Sequence, residues 1–508
     1  MLYTGCPGFQ QRLGKGPHFC LNPCSGQSRL DDANTGVHRD AMGLLSMKST
    51  PKRLRTVVPS LRLGVMVMIW DSPIESGPVP ESESTFDAIV VGGGPGGSAA
   101  AGYMAMKGLN VLLLEKAIWP RDKTCGDAVG GKSLKHVEEL GVKATLEQTP
   151  HFRVDSIIFG GPNGKEVRIP LPEEEVENRE AGYSLPRRQF DTLLFRNANE
   201  KVLESGGAVI QNFTVKEVHI EGDAIKGISG IHNGESLHYT AALTIGAGGY
   251  NCPVARSITA HHDEPMVDKT HYCGAYREYW TGVEGCGDWS GAIEIHFIEG
   301  VLPGYFWIFP VGDGVVNVGI GMVMTEMDKQ KAKLRGLQDW AINESPKFKK
   351  RFANAKKLEK SGKGSMLPFG SPRKKPPSFQ PRRIAMAGAM CIGDAASLVD
   401  PFTGEGIGNA LLSAKMASDI FDMEIHKEGF TSESAVEYQV KLWEELSAEL
   451  TNSYKLQRLV KKKWLMNFFI GRAVKKVELQ RALTDMIASK EAQGQFHSLW
   501  WWIKALFF

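Results

Sequence analysis

One short glycine-rich segment limits what this chain can fold into more than any other feature of its sequence. The apolar run Phe86–Val91 lies between residues that favour turns, which is typical of a buried parallel strand. An alanine-rich stretch predicts a helix over Ser98–Lys107, and a second apolar strand over Asn110–Leu114 ends at Glu115. The turn between the first strand and the helix has the spacing G-x-G-x-x-G, at Gly92, Gly94 and Gly97. This order of elements predicts an α/β unit.

Each part of this unit has a physical role in binding a dinucleotide. Gly92 permits the tight turn, Gly94 lets the backbone approach a pyrophosphate, and Gly97 lets the helix pack closely on the strand. The unpaired N–H groups at the helix N-terminus stabilise phosphates through their partial positive charge. Glu115 can accept hydrogen bonds from the adenosine ribose hydroxyls. The sequence therefore predicts a Rossmann-like dinucleotide-binding domain.

A second segment, near the other end of the chain, favours FAD over NAD. The predicted apolar strand Ile384–Ile392 leads into Gly393-Asp394, where the aspartate can bind the ribityl chain of a flavin. Gly404–Ile407 then begins a predicted helix, and its amides can face the N1–C2=O edge of a flavin and stabilise negative charge on the reduced ring. The residues assigned to the cofactor here are Asp394, Gly404, Gly406 and Ile407.

Together these segments resemble the FAD domain of the para-hydroxybenzoate hydroxylase-like flavoproteins. The resemblance implies an α/β fold with a Rossmann-like FAD-binding domain of the GR2 type, a β-sheet substrate domain and a C-terminal helical region. Lys123–Ala128 stands where this superfamily passes over the flavin ring, and Arg187–Asp191 resembles its Arg-x-x-Phe-Asp helix start. The further cofactor residues implied by the resemblance are Cys125, Gly126, Ala128, Arg187 and Val215.

A third segment of the resemblance is more specific. Tyr305, Trp307 and Phe309-Pro310 are followed, after eight residues, by Gly319-Ile320-Gly321. This order is similar to the Y-x-W-x-F-P…G-x-G signature of the geranylgeranyl reductase family. The resemblance to that family extends from Phe86 to the C-terminus.

The family resemblance implies an activity and a set of catalytic residues. Its chemistry is the reduction of isolated C=C bonds, with hydride from a reduced flavin and a proton from another source. We therefore expect saturation of geranylgeranyl chains of membrane ether lipids or related prenyl lipids. Tyr305 and Trp307 would form an aromatic wall that holds the chain, and Cys125, Tyr305 or a held water would donate the proton. Reduced ferredoxin or NAD(P)H would supply the electrons.

Other interpretations of the same residues stay open. Cys125 can be a buried inert thiol, and alternating aromatic residues on a strand can simply pack a core. A flavin monooxygenase or quinone-linked oxidoreductase is the alternative enzyme, although Gly248 stands where the hydroxylases have an aspartate. Cys125-Gly126-Asp127 resembles archaeal and bacterial lipid reductases more than chlorophyll-type reductases, which have Cys-Gly-Gly. A prenyl-lipid carrier without catalysis would not need the intact flavin segments.

Charge and cysteine usage exclude several other classes of protein. The 508 residues include 60 Lys and Arg against 57 Asp and Glu, and a net charge of +3 gives no argument for nucleic-acid binding. The eight cysteines form no C-x-x-C pair and have no histidine at zinc spacing, so we expect no metal and a cytoplasmic protein with reduced thiols. No apolar run reaches the ~18 residues of a membrane helix.

Basic residues beside bulky aromatic residues occur from Leu456 onward and at Phe496–Phe508. This pattern is typical of a helix in a bilayer interface, so we expect peripheral association with a membrane. The alternative is a helical cap on the substrate domain with a solvated basic face.

The expected domain organisation follows these segments. In chain order, the predicted parts are a non-folding extension (1–85), the first part of the FAD-binding domain (86–150), its continuation with interleaved substrate-domain strands (151–255), the substrate domain (256–370), the last part of the FAD-binding domain (371–425) and a C-terminal helical region (426–508). The basic, acid-poor leader is either an organelle transit peptide or sequence upstream of a true start at Met66 or Met68.

Deleting residues 1–65 should leave the FAD content and the thermal unfolding midpoint unchanged. The segment shows no apolar periodicity that could bury a face, so it has little folding energy to lose. Absorbance of the bound flavin and a thermal melt of both chains measure this. A truncated chain that loses flavin or melts earlier would show that the leader contains a folded part.

Overall fold

A computed structural model describes residues 72–374, 381–476 and 480. Most of the predicted extension, three of the cysteines (Cys6, Cys20 and Cys24) and Phe496–Phe508 lie outside the described residues. The strands are β1 (Thr85–Val91), β2 (Val111–Leu114), β3 (Ala128–Gly130), β4 (Phe152–Gly160), β5 (Glu166–Pro170), β6 (Gly182–Ser184), β7 (Ala208–Ile210), β8 (Phe213–Glu221), β9 (Ala224–His232), β10 (Glu235–Gly246), β11 (Tyr272–Thr281), β12 (Ser290–His296), β13 (Gly304–Gly312), β14 (Val315–Val323), β15 (Lys356–Lys357), β16 (Lys363–Pro368), β17 (Ala385–Met386) and β18 (Ala389–Cys391).

The helices lie between these strands and at the C-terminal end of the described chain. They are α1 (Pro95–Met106), α2 (Gly131–Glu139), α3 (Lys143–Gln148), α4 (Glu173–Glu177), α5 (Arg187–Glu204), α6 (Pro253–His261), α7 (Met324–Gln330), α8 (Leu334–Asn343), α9 (Ile407–Ile420), α10 (Ser432–Val460) and α11 (Lys463–Ala473). Among the described residues, no helix is both long and apolar enough to cross a membrane.

The first sheet has the order β17-β18-β10-β1-β2-β7, and the β8–β9 hairpin continues from β10. The pairs β18–β10, β10–β1, β1–β2 and β2–β7 are all parallel. Val111–Leu114 is buried along its whole length, as expected for a parallel strand that is covered on both faces. Helix α1 packs against both α5 and α9, so the two helices that begin at glycine-rich turns lie side by side.

The second sheet is mostly antiparallel and has the order β15-β11-β14-β13-β12-β4-β6-β3, with β16 beside β11 and β5 beside β4. Alternate residues of β13 face opposite sides of this sheet. Phe306 and Ile308 belong to one apolar core, together with Phe348, whereas Trp307 and Phe309 belong to another. One face of the sheet is therefore covered by residues of the 324–355 region, and Trp307 and Phe309 lie on the opposite face.

The structure differs from several predicted element boundaries for local reasons. The expected strand Ala208–Val218 is divided into β7 and β8 because Asn212 takes a left-handed conformation with φ of 56°. The expected strand Ile384–Ile392 is a hairpin of β17 and β18, and its turn residue Gly388 has φ of 75°. The helical periodicity over Lys329–Asn354 gives only α7 and α8, followed by turns.

Longer segments also differ from the expected organisation. The periodicity over Gly408–Ser453 gives two helices, α9 and α10, separated by a loop. The predicted boundary near residue 150 lies inside the second sheet, because β3 already pairs with β6.

Residues 72–84, assigned to the non-folding extension, are packed against the first sheet and α5. Ile74 is buried in the main core, and its carbonyl oxygen accepts a hydrogen bond of 2.7 Å from Gln211. The carbonyl oxygen of Glu75 accepts a hydrogen bond from Asn199. The packed part of the chain therefore includes residues before Phe86, and an irregular segment without apolar periodicity gave no signal of this packing.

Candidate functional site

A cavity of about 1850 Å³ is lined by residues of both sheets and of α10. The predicted site residues come together there. Those that line it are Gly92, Gly94, Glu115, Cys125, Gly126, Ala128, Arg187, Val215, Tyr305, Trp307, Asp394, Gly404, Gly406 and Ile407. Gly97 is not among the lining residues, because it faces the turn before α1.

The glycines of the first turn are needed for three different reasons. Gly92 has φ of 111°, and a Cβ there would lie 2.6 Å from the carbonyl oxygen of Ala247. A Cβ at Gly97 would overlap the carbonyl oxygen of Gly92, so only glycine lets α1 approach β1. A Cβ at Gly94 would meet only the guanidinium of Arg121, at 3.4 Å, because this position opens on the cavity. Gly94 is the N-cap of α1 and provides no capping side chain, which leaves the helix N-terminus available to a phosphate.

Glu115 lies at the end of β2 and is almost completely buried. Its carboxylate accepts hydrogen bonds from the backbone N–H groups of Gly93, at 2.7 Å, and Ala117, at 2.9 Å. A carboxylate has about four acceptor positions, so Glu115 can still accept from ribose hydroxyls. The same side chain therefore shapes the glycine-rich turn and offers acceptors to a nucleoside.

The second glycine-containing segment also lines the cavity. Asp394 follows Gly393, whose φ is 54°, and its carboxylate pairs with Lys123 at 3.2 Å. Gly404 has φ of 75°, and a Cβ there would lie 2.8 Å from the hydroxyl oxygen of Tyr305. The carboxylate of Glu405 accepts a hydrogen bond from the Gly408 amide in the first turn of α9. Burial raises the pKa of Glu405 above its usual range.

Arg187, which was assigned to the cofactor from the sequence, is paired with an acidic side chain of its own helix. Its guanidinium is 4% exposed and forms two bonds with Asp191, of 2.5 and 2.8 Å, while it also contacts the thiol of Cys125. Arg121 pairs with the same aspartate at 2.8 Å. Burial raises the pKa of Asp191, but the charges of Arg187 and Arg121 outweigh burial and hold that pKa below its usual range. Arg187 lines the cavity, with its charge already balanced.

The G-x-G after the aromatic strand provides space for an indole. Trp307 lies opposite Gly319 on the neighbouring strand β14, and a Cβ at Gly319 would overlap its six-membered ring. On the other side, a Cβ at Gly126 would lie 2.9 Å from the ring of Phe309 and 3.7 Å from Nε1 of Trp307. Glycine at both positions is therefore required by the side chains of β13.

Three polar residues of this region, two of them fully buried, were not assigned a role from the sequence. Asp127 is fully buried, has φ of 70°, and accepts hydrogen bonds from Tyr279 and Asn317. Burial raises the pKa of Asp127 to about 6. Tyr279 and Asn317 lie directly opposite each other on β11 and β14, which a sequence without strand register does not reveal. The available sequence signal for this group was Asn317, a polar residue at a strand position between buried apolar residues.

The described residues contain one group of three possible metal ligands, Glu166, Glu294 and His296. Arg351 forms two bonds of 2.7 Å with Glu294, and Lys347 pairs with Glu166 at 2.8 Å. Both carboxylates of this group are thus paired with cations. Ile293 and Ile295 alternate with Glu294 and His296 along β12, and the two isoleucines line the cavity. We interpret this group as an ion-pair cluster on the face of β12 away from the cavity.

Away from the glycine-rich turns, the cavity has a long apolar wall. It is formed by residues of β4, β12 and β13, and the side chains that line it are Val154, Ile157, Phe159, Ile293, Ile295, Tyr305, Trp307 and Phe309. Phe297 and Phe402 continue it. One chamber therefore combines turns suited to a dinucleotide with a surface suited to a long hydrocarbon.

The chain is similar to known proteins over most of the described residues. An FAD binding domain matches residues 85–277, and a geranylgeranyl reductase catalytic domain matches residues 274–358. A digeranylgeranylglycerophospholipid reductase of Methanosarcina acetivorans is 30% identical over 362 residues, 71% of this chain and 81% of that protein. A menaquinone reductase of Mycobacterium tuberculosis is 28% identical over 351 residues, 67% of this chain and 77% of that protein.

Solved structures show the same fold at lower identity. A geranylgeranyl bacteriochlorophyll reductase-like protein of Thermoplasma acidophilum has a TM-score of 0.64 and 22% identity, covering 82% of this chain and 99% of that one. A flavin-dependent brominase has a TM-score of 0.61 and 18% identity, covering 82% and 100%. The fold and the cofactor predicted from the sequence are confirmed. The chain belongs to the geranylgeranyl reductase family of FAD-dependent oxidoreductases, and FAD is its cofactor.

Proposed function

We propose that this chain saturates C=C bonds in the geranylgeranyl chains of membrane lipids. The observation that carries this function is the apolar wall of β4, β12 and β13, which shares one cavity with the glycine-rich turns. Bound FAD supplies the reducing equivalents. A hydrocarbon chain has no polar group to recognise, so burial on this wall, at roughly 25 cal/mol per Å² of apolar area, provides its affinity.

Within this proposal, the chain's own residues position the substrate and handle the proton. Tyr305, Trp307 and Phe309 hold the prenyl chain along one face of β13. Burial raises the pKa of Tyr305 above its usual range, so its phenol is protonated, and the hydroxyl donates to the carbonyl oxygen of Thr403. Because the phenolic proton is engaged in that hydrogen bond, we favour Cys125 or a held water as the donor of the proton to the alkene. Reduced ferredoxin or NAD(P)H stays our proposed source of electrons.

A quinone-linked oxidoreductase is the second candidate, because menaquinone reductases are among the relatives. Mass spectrometry of products formed by the dithionite-reduced protein separates the candidates. A gain of two hydrogens for each double bond of a geranylgeranyl lipid supports the proposed function, whereas a gain of one oxygen atom indicates a monooxygenase. An unchanged lipid together with a quinone reduced by the flavoprotein after removal of excess dithionite, which reduces quinones by itself, would favour the second candidate.

We also propose that the surface around the end of α10 and α11 contacts a membrane. Trp464 is 67% exposed, Leu459 is 44% exposed, and basic residues surround them, while Leu459 also lines the cavity. The other side of α11 packs on β5 through Met466 and Ile470, so the helix is also a cap on the second sheet. The apolar wall and the basic surface thus adjoin at Leu459, where a lipid tail can leave a bilayer.

Trp464→Ser should reduce sedimentation of the full chain with anionic vesicles severalfold, because an indole at the interface is lost. Trp340→Ser is the matched control, since Trp340 is 46% exposed on α8. Added salt should weaken binding of the native chain through screening. Equal binding of Trp464→Ser and Trp340→Ser to the vesicles would contradict the proposal that a membrane contacts the surface around the end of α10 and α11.

Glu115→Ala combined with Asp394→Ala should release FAD. Each change deletes charge-assisted acceptors, worth roughly 1.5–3 kcal/mol per bond. The ratio of flavin to protein after denaturation measures the loss. Asp328→Ala is the control, because this carboxylate pairs with Lys269 on the surface. A double variant that stays fully yellow would show that these two acids are not the FAD acceptors.

Tyr305→Ala combined with Trp307→Ala should lower alkene reduction on the order of 10²-fold, since a chain displaced by about 1 Å reacts far more slowly. Dithionite reduction of the bound flavin needs no aromatic wall and should be unchanged. Phe306→Leu is the control, because Phe306 lies on the opposite face of the same strand. Wild-type turnover in the double variant would show that these aromatic residues only pack the core and do not hold the substrate.

A further inference from the structure

Side chains from three neighbouring strands of the second sheet converge on the segment that carries Cys125. Tyr279 of β11 and Asn317 of β14 are directly opposite each other, and Asn317 is also opposite Phe309 of β13. All of these strands lie next to one another in the sheet. Asp127, two residues after Cys125, extends its carboxylate into this group.

One buried amide joins the Cys125 segment to the aromatic strand. Nε1 of Trp307 donates to Oδ1 of Asn317 at 2.8 Å. Nδ2 of Asn317 donates to Oδ2 of Asp127 and to the carbonyl oxygen of Cys125, each at 2.7 Å. Asn317 and Asp127 are fully buried, and Trp307 is 5% exposed. Water therefore does not compete for these bonds, and each has the strength of a buried hydrogen bond.

The chemistry of the partners fixes the direction of every bond. An indole N–H only donates, so the oxygen of Asn317 faces Trp307 and its NH₂ group faces Asp127 and the Cys125 carbonyl. The hydroxyl of Tyr279 donates to Oδ2 of Asp127 at 2.5 Å, and the backbone N–H of Arg187 donates to Oδ1 at 3.2 Å. No member can rotate without leaving a buried polar group unpaired, which is costly.

A second set of side chains holds the beginning of the same segment. The guanidinium of Arg277 lies over the ring of Tyr279, at 4.2 Å from its centroid, and pairs with Asp122 at 2.6 Å. Arg277 is fully buried on β11. The segment Asp122–Asp127 is thus attached to the sheet at both ends, whereas Gly126 between them rests on Phe309.

We propose that Asp127 and Asn317 are positioning residues that set the separation between the Cys125 segment and the indole of Trp307, and thereby the width of the channel for the prenyl chain. This inference rests on the proposed function for its substrate. Neither residue needs to touch the lipid. A wider channel lets the chain shift along the flavin, so these residues determine both the rate of reduction and how completely the double bonds are reduced.

Exchanging the two polar groups tests this proposal. Asn317→Asp places two carboxylates face to face in a buried site and removes the donor to Asp127 and to the Cys125 carbonyl. Asp127→Asn combined with Asn317→Asp restores the bond between the two residues and keeps an acceptor for Trp307. Gln338→Leu is the control, because it removes a fully buried amide that bonds Glu278 and belongs to neither the cavity nor this group.

Asn317→Asp should slow reduction of a geranylgeranyl lipid on the order of 10²-fold and enrich partly reduced products, with FAD content and dithionite reduction unchanged. The exchange variant should recover at least about tenfold. Amide hydrogen exchange over residues 121–130 should rise in Asn317→Asp and fall again in the exchange variant. Gln338→Leu should lower the unfolding temperature without changing the product distribution.

Wild-type turnover and product distribution in Asn317→Asp would overturn the proposal, as would an exchange variant no better than the single one. If the native chain leaves geranylgeranyl lipids unreduced, the proposed function fails separately. Hydrogen exchange then decides the positioning role: unchanged protection over residues 121–130 in Asn317→Asp overturns it, and lost protection that the exchange variant restores supports it.

Discussion

The close crossing of α1 and α9 is the contact on which the rest of the site depends. A Cβ at Gly96 would lie 3.4 Å from Cβ of Ala410, and one at Gly393 would lie 2.9 Å from it. Small residues on both helices let their backbones approach. Helix α1 begins at the turn after β1, and α9 begins after Gly404 and Gly406 while its Ala410 also lies against Gly393. The contact between the two helices therefore brings these segments, which come from distant parts of the chain, to one cavity.

Side chains of β13 alternate between the two faces of the second sheet, so this strand contributes both to an apolar core and to the cavity wall. Phe306 and Ile308 give β13 a buried core on one side, and Trp307 and Phe309 give it a wall on the other. The packing of Phe306 and Ile308 therefore stabilises the strand from the face that lies away from the cavity. This division allows the cavity side to present large aromatic rings to an open volume without loss of the fold.

The parts of the site that the sequence predicted are those defined by the backbone. Gly92, Gly94 and Gly393-Asp394 are recognisable because their conformation or close approach demands particular residues at fixed spacing. The hydrogen bonds around Asp127 depend on which strands are neighbours and in which register. That information is not local, so the fold and the cofactor were predictable while the hydrogen-bonded support of Cys125 was not.

The order of strands in the first sheet has a consequence for synthesis of the protein on the ribosome. Its strands β1, β2 and β10 are translated before most of the second sheet. Asp394 and the 404–406 turn lie between β18 and α9 and come after the entire second sheet. The emerging chain must therefore keep one edge of a parallel sheet uncovered until residues 385–420 are released. Asp394 and the 404–406 turn are therefore among the last lining residues of the cavity to be synthesised, and the cavity is complete only after they emerge.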